Sequence, residues 1–312
     1  MASLKNIKLK ILSYKKTGTV THAMEAVSAV KMRKGQERAL AGRAYAAAGL
    51  SVLQRLSGTA DLSMHPLMRE TSEQRVTLCK TCIIVVTSDK GLAGSLNSGV
   101  IRRAEQEITR LKSDGNDVVI IAIGRRGGDF FANRGFDVRE KYENLSDGVS
   151  EAEMRMITDK VIAWHRVGEI GACIIVYQNF ISTFEQQPTA RQTVPITPSM
   201  ISAMVAGIRP ARGRYAPKQG EMTPDRVAAY MIEPDADTVL SLLLPRLLNV
   251  AIFHAVLESK ASEHSARMVA MKSATDKAKE MSDDLTRTFN KVRQAAITRE
   301  VSEITSGIES MK

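Results

Sequence analysis

Residues 271–295 read MKSATDKAKEMSDDLTRTFNKVRQA, and their spacing settles the architecture. Met271, Ala274, Ala278, Met281, Leu285, Thr288, Val292 and Ala295 recur at alternating intervals of three and four. That is a seven-residue repeat, the pattern of a seam in a left-handed coiled coil. The seam is poor in leucine and rich in alanine, so its partner must approach closely. No credible helix break follows Pro245, and the helical pattern covers residues 235–308. At 1.5 Å per residue such a helix is about 100 Å long. It cannot cover its own stripe, so another element must lie alongside. Pro245 removes one backbone bond, to Ser241, and predicts a kink there.

One other segment is comparable in length. Ser3 is a candidate cap for a helix from residue 4 to about 57, closed by Gly58. Its stripe reads Ile7, Ile11, Tyr14, Gly18, Thr21, Glu25, Ser28, Met32, Gly35, Ala39, Gly42, Ala46, Gly49 and Leu53. Each of the three later glycines costs a helix about 1 kcal/mol relative to alanine. They make sense where a neighbouring backbone comes close. The two small-residue seams are therefore predicted to pair antiparallel. The C-terminal helix is the longer, so one of its ends should project beyond the pair.

Between the helices the period changes. Residues 58–74, with Pro66, read as a loop. Residues 79–87 (CKTCIIVVT) read as a short buried strand, followed by a turn at 88–91 and a helix to about Lys112. Residues 117–123 (DVVIIAI) form a second buried strand ended by Gly124. A helix over 125–133 and a short extended piece near Val138 follow. Ser150 caps a helix over 151–167, with Glu153 at the capping-box position. Residues 173–180 (CIIVYQNF) are a third apolar strand, and 183–187 with 191–196 suggest a hairpin. The Pro-, Gly- and basic-rich 198–224 reads as a mobile excursion, and 227–232 as a last strand. Strands alternating with helices imply an α/β layer with a partly parallel sheet. The expected fold is an α/β (Rossmann-like) domain inserted between N- and C-terminal helices that form a long antiparallel coiled coil. The boundaries are 1–57 for the first shaft helix, 76–232 for the α/β domain and 235–312 for the second shaft helix.

The 312 residues are 44% hydrophobic and 4% aromatic, with a formal net charge of +10. A positive balance of this size favours an acidic partner: nucleic acid, an anionic membrane surface or acidic protein loops. No apolar run is expected to span a membrane, and the N-terminus shows neither a signal peptide nor a transit segment. Three cysteines fit a reducing compartment. Basic side chains crowd the first helix (Lys5, Lys8, Lys10, Lys15, Lys16, Lys31, Arg33, Lys34) and recur near the end of the last (Arg287, Lys291, Arg293, Arg299). A solvated face explains them, as do acidic protein loops. Nucleic acid is less suited, because no aromatic interleaving or recognised module accompanies them.

Candidate chemistry is sparse. Cys79 and Cys82 form a CxxC without a second ligand pair, and the pair leads into a strand, not out of one to a helix N-terminus. Two glycine turns, 91–95 and 124–128, follow strands, but neither is a P-loop or a spaced GxGxxG. Arg125 and Arg126 would help an anion at the second turn, while a structural turn is the plainer reading. His254 and Glu258 stand four apart without an HExxH, and read as satisfied or solvated. No nucleophile triad is present, so the reading is no catalytic residue, no cofactor and no metal.

Residues 21–27 (THAMEAV) with 31–34 (KMRK), 88–97 (SDKGLAGSLN), 258–259 (ES), 261–264 (ASEH), 266–272 (ARMVAMK), 274–276 (ATD) and 290–298 (NKVRQAAIT) resemble the gamma subunits of F-type ATP synthases. Glu300, Glu303 and Gly307 continue the pattern, and Ile308 departs from it. The resemblance is collinear over essentially the whole chain. It implies a central rotor shaft, one copy per complex, seated in a ring of alternating alpha and beta subunits. Its foot and α/β domain would bind the epsilon subunit and the membrane c-ring, and ion flow would turn it to drive ATP synthesis in beta. Met24 and Arg267 would face beta's acidic lever loop, and Arg293 and Gln294 its catch loops. The implied location is the cytoplasmic face of a bacterial inner membrane, or the mitochondrial matrix face. No cysteine lies in 198–224, so thiol control there is not expected. The rival readings are a static coiled-coil scaffold, a basic nucleic-acid-binding protein, and a nucleotide-binding α/β enzyme.

Overall fold

The computed structural model describes residues 4–41, 48, 49, 52, 65–69, 80–197, 200, 233 and 235–311. Expectations for Ser3, Cys79, most of 42–64, nearly all of 198–224 and the 227–232 strand fall outside the described residues. In chain order the elements are α1 (Leu4–Ala41), β1 (Lys80–Val86), α2 (Leu96–Ser113), β2 (Val118–Ile123), α3 (Arg125–Asn133), β3 (Val138–Tyr142), α4 (Glu151–Arg166), β4 (Ile170–Phe180), β5 (Gln186–Val194) and α5 (Ala236–Glu309). They form two compact units, Met1–Ser28 with Arg267–Lys312, and Ala29–Ala266.

The second unit is built on one five-stranded sheet in the order β3-β2-β1-β4-β5. The first four strands are parallel, and β5 runs antiparallel to β4. Alternate residues of the apolar strands point to opposite faces, so both faces need cover. Ile83, Val85, Ile120, Ile174 and Val176 face one way, against Val100, Ala104 and Ile108 of α2 and Phe131 of α3. Cys82, Ile84, Ile121, Ile175 and Tyr177 face the other way, against α4 and the leucine-rich start of α5. Ser150 caps α4 as expected: its hydroxyl accepts from the Glu153 amide, and Glu153 Oε2 accepts from the Ser150 amide. Within this unit Gly35 lies against Ala261, where an added Cβ would stand 3.4 Å from the alanine methyl.

Two expectations change. The hairpin expected between 183–187 and 191–196 is instead β4 against β5, turned at 181–185. Polar composition and Pro188 hide β5, and its place at the sheet edge tolerates the missing amide. Secondly, α5 does contain an 18-residue window apolar enough for a membrane span, with mean hydropathy 1.8. More than half of that window is buried inside the protein, as in a core helix, because Leu240, Leu244, Leu247, Leu248 and Ile252 pack on the sheet.

In the first unit, the start of α1 and the C-terminal part of α5 run antiparallel. The Thr21 and Thr275 hydroxyls meet at 2.6 Å, and an added Cβ on Gly18 would stand 3.7 Å from the Ala278 methyl. Ile7, Thr21 and Ser28 are buried on one side, and Met271, Ala278 and Ser282 on the other. From Ile7 to Ser28 the α1 stripe matches the expectation position by position. On α5 the second seam position of each heptad falls one residue later than expected. Phe289 and Ala296 are half-buried, whereas Thr288 and Ala295 are exposed.

Backbone geometry makes one position of the sheet unit intolerant. Gly124, between β2 and α3, has φ 92°, and an added Cβ would lie 2.1 Å from the Thr87 carbonyl oxygen. Gly124→Ala should therefore destabilise the chain by at least about 2 kcal/mol. A urea-unfolding midpoint equal to wild type would refute this.

Candidate partner-contact surface

The glycine turns are closed by the chain itself. At the end of β1, the Ser88 amide donates to Asn97 Oδ1 (2.9 Å) and Asn97 Nδ2 donates to Ser88 Oγ (2.8 Å). The start of α3 is satisfied in the same way. The Arg125 amide donates to Asp89 Oδ1 (3.0 Å), the Gly127 amide to Thr87 Oγ1 (2.9 Å), and the Arg126 amide to the Ser88 carbonyl (3.2 Å). An anion at this helix N-terminus would have to displace the protein's own Asp89 carboxylate. Open α/β sheets bind ligands where the strand order reverses, here beside β1 and β4. Helix α5 lies against the carboxyl end of β4: Ser262 Oγ donates to the Gln178 carbonyl (3.2 Å) and Ser265 Oγ to the Thr183 carbonyl (2.6 Å).

The cysteines follow the same logic. Cys82 and Cys173 are buried, unbridged and paired in register between β1 and β4. The contact between the two thiols and their burial push the Cys82 thiol up, away from the reactive thiolate.

His254 and Glu258 are neither satisfied nor solvated, contrary to the sequence expectation. Both are buried, and His254 Nδ1 stands 3.6 Å from Glu258 Oε1, outside hydrogen-bond distance. Tyr177 of β4 and Arg191 of β5 complete their surroundings. Burial, aided by the Arg191 charge, lowers His254 to about 3. Burial raises Glu258 to about 8, against the opposing pull of Arg191 and Tyr177. Both side chains are therefore neutral near pH 7.

The residues expected to meet partners all lie in the first unit. Met24 is half-buried, Arg267 is 9% exposed, and Arg293 and Gln294 are exposed. Continuing the Thr21–Thr275 register, Met24 falls within about two helical turns of Arg267 along the pair. Arg293 is 26 residues beyond Arg267 on α5, about 39 Å along the axis. The four residues thus form two stations. The same register places Leu4 opposite Val292, so α5 continues past the start of α1. From Arg293 to Met311 every residue whose burial is described is exposed except half-buried Ala296.

One feature of this overhang escapes the seam pattern that ends at Ala295. Ile297, Val301, Ile304 and Ile308 recur at intervals of four, three and four, and all are exposed. Four apolar side chains in a coiled-coil rhythm call for a covering surface. Extending the seven-residue count past residue 295 on a shifted register would have found them. The basic side chains Lys5, Lys8, Lys15, Lys16, Arg287, Lys291 and Arg299 are exposed in the same unit. Arg287 and Arg299 reach Asp284 and Glu303 on their own helix.

Comparison with known proteins places this arrangement. The model of a protein family described as ATP synthase matches residues 3–311. The ATP synthase gamma chain of Geotalea daltonii is 39% identical over 312 residues, covering all of both chains. That of Pelotomaculum thermopropionicum is 36% identical over the same span, again covering both chains fully. Among solved structures, a chain of the Euglena gracilis mitochondrial ATP synthase (OSCP, F1 and c-ring) superposes with a TM-score of 0.61 at 17% identity. That match covers 99% of this chain and 94% of the other. A chain of the Tetrahymena thermophila mitochondrial ATP synthase central stalk and c-ring gives 0.56 at 20% identity, covering 82% and 99%.

The buried Glu258 yields a pH test. Its folded value lies above that of a free glutamate, 4.5, so its stabilising state is complete below that pH and is lost as pH rises through about 8. His254 has the opposite sign: its stability is present above 6.5 and lost as pH falls through about 3. Glu258→Gln should therefore gain steadily on wild type in urea-unfolding midpoint between pH 5 and pH 8. A difference that does not change with pH would contradict the assignment.

Proposed function

The chain belongs to the ATP synthase gamma chain family and is a central rotor subunit, and we propose that it couples ion-driven turning of a membrane c-ring to ATP synthesis in a ring of alpha and beta chains. The chemistry belongs to the complex. This chain has no active site of its own, and its contribution is asymmetry: an off-centre shaft presents a different face to each catalytic subunit as it turns.

The observation that carries the reading is the overhang of α5. A single helix with an unpaired apolar stripe fits the bore of a ring whose inner wall is apolar, because such a wall covers Ile297, Val301, Ile304 and Ile308 without gripping them by directional bonds. Further along, Met24 and Arg267 lie close together on the pair and would meet the acidic lever loop of a beta subunit. Arg293 and Gln294, on the exposed helix, would meet the catch loops. An arginine pairs with a carboxylate through two parallel hydrogen bonds, which ties torque to a defined angle. The basic side chains along both helices, in a chain of net charge +10, suit acidic protein loops.

The foot and the sheet unit would bind the epsilon subunit and the c-ring. The chain would then sit peripherally, held to the cytoplasmic face of a bacterial inner membrane through the complex. The leucine-rich part of α5 packs on the sheet, so membrane attachment does not draw on that helix.

Affinity purification of the tagged chain should recover alpha and beta chains in fixed ratio. Recovery as a lone dimer, or with nucleic acid alone, would overturn the rotor reading. A cysteine at position 293, in Arg293→Cys, should cross-link to alpha or beta chains and not to epsilon or c. Arg267→Ala should lower coupled ATP synthesis several-fold while the sheet unit keeps its unfolding midpoint. Wild-type synthesis in that variant would refute the contact assigned to Arg267.

A further inference from the structure

The loop between β3 and α4 carries a feature that shaft and ring leave unused. In the Ala29–Ala266 unit, four basic side chains from two helices converge on it. Lys31 Nζ of α1 lies 2.7 Å from Asp147 Oδ2, and His264 Nε2 of α5 lies 2.8 Å from Asp147 Oδ1. One carboxylate thus offers one oxygen to each helix. Arg38 Nη1 donates to the Asp147 carbonyl (3.2 Å), and Lys260 Nζ to the Leu145 carbonyl (3.2 Å). Lys31 and Arg38 are one heptad apart, and Lys260 and His264 about one turn apart, so each helix presents two basic side chains on a single face.

The loop is itself held to the sheet. Val149 is buried, Leu145 packs on the apolar cluster shared by the sheet, α4 and α5, and Asn144 takes a left-handed turn at φ 57°. Gly148 lies against the same arginine: an added Cβ would stand 2.8 Å from Arg38 Nη1, so a larger residue there would push the guanidinium aside. Partial burial alone would raise the Asp147 carboxyl. The Lys31 hydrogen bond and the His264 charge and hydrogen bond outweigh it and hold the group at about 2. The Asp147 carboxylate therefore stays ionised across the working pH range.

We propose that Asp147 is a positioning residue of the rotor, the point at which load borne by the α/β layer enters both shaft helices together. This rests on the rotor reading above. At Gly35 the first helix meets Ala261 of the second through small residues, a contact that resists sliding less than large interlocking side chains do. The Ser262 and Ser265 bonds to β4 and the leucine packing tie the layer to α5. A carboxylate shared between Lys31 and His264 ties the same layer to α1 and α5 at one level. Turning force then reaches the two helices in phase, where an attachment to one helix would let the other lag.

The test uses membrane vesicles carrying the whole complex, with ATP hydrolysis and ATP-driven uptake of the pumped ion measured on the same sample. Asp147→Asn keeps the shape of the side chain and removes its charge; Asp147→Ala removes both. Hydrolysis should stay within about twofold of wild type, while ions taken up per ATP should fall threefold or more in Asp147→Ala and less in Asp147→Asn. Asp147→Glu should restore most of the uptake, and Lys31→Ala should add nothing to Asp147→Ala. Uptake per ATP unchanged in Asp147→Ala would overturn the proposal. So would equal losses of uptake, hydrolysis and assembled complex, which mark a purely structural residue. A wild-type chain that never assembles with alpha and beta would overturn the rotor reading itself, a separate failure.

Discussion

The close approach of two long helices is the constraint on which the structure depends. Where Thr21 meets Thr275 and Gly18 faces Ala278, the seam leaves no room for leucine. A tight seam gives up most of the burial that large side chains would supply, roughly 25 cal/mol for each Å² of apolar area. What it gains is a narrow cross-section. The hydroxyl pair at Thr21 and Thr275 also fixes register, which a smooth alanine stripe would leave free to slip. With one proton each, one hydroxyl donates across the seam and the other donates back to its own helix, to the Thr17 or the Met271 carbonyl. The polar seam is thus satisfied within the pair.

The sheet unit solves the opposite problem. Its parallel strands are apolar on both faces, so cover is obligatory, and the leucine-rich start of α5 shares one face with α4. One helix therefore changes character along its length. Residues 240–257 are apolar on several sides and packed; residues 271–292 carry a narrow stripe; beyond 293 the described residues other than Ala296 stand exposed. The transition needs no break in hydrogen bonding, because each residue's partner within a helix lies four residues away whatever covers the outside. Pro245 falls inside the packed part, where sheet contacts hold the backbone despite the missing bond.

Much of this was legible because it rests on period. The α1 stripe from Ile7 to Ser28, the buried strands β1, β2 and β4, and the Ser150–Glu153 capping box were all readable from spacing and residue type. The β5 edge strand was not, since a strand paired on one side tolerates polar residues and Pro188 and so loses its signal. On α5, Thr288 and Phe289 are adjacent, and the one-residue offset depends on which of them meets α1, a fact of the partner and not of the helix. His254 and Glu258 show a different limit. Their i,i+4 spacing was visible, but their burial comes from Tyr177 and Arg191 on strands far away in sequence. The expected contact residues rest on resemblance alone, since nothing in the spacing of Met24, Arg267, Arg293 and Gln294 connects them.

The Asp147 clamp shows how a mechanical contact hides in such a sequence. Lys31 with Arg38, and Lys260 with His264, are each spaced to share a helix face, and neither pair by itself points to an anion. Their shared anion lies more than a hundred residues from either pair, on a loop without periodicity. Helical spacing announces which side chains share a face; it says nothing of what the face meets. For a chain whose work is to carry force between distant partners, the informative residues are those where two periodic elements converge on a third that is not periodic. That convergence is a property of the fold, and a carboxylate with one oxygen for each helix is its simplest chemical form.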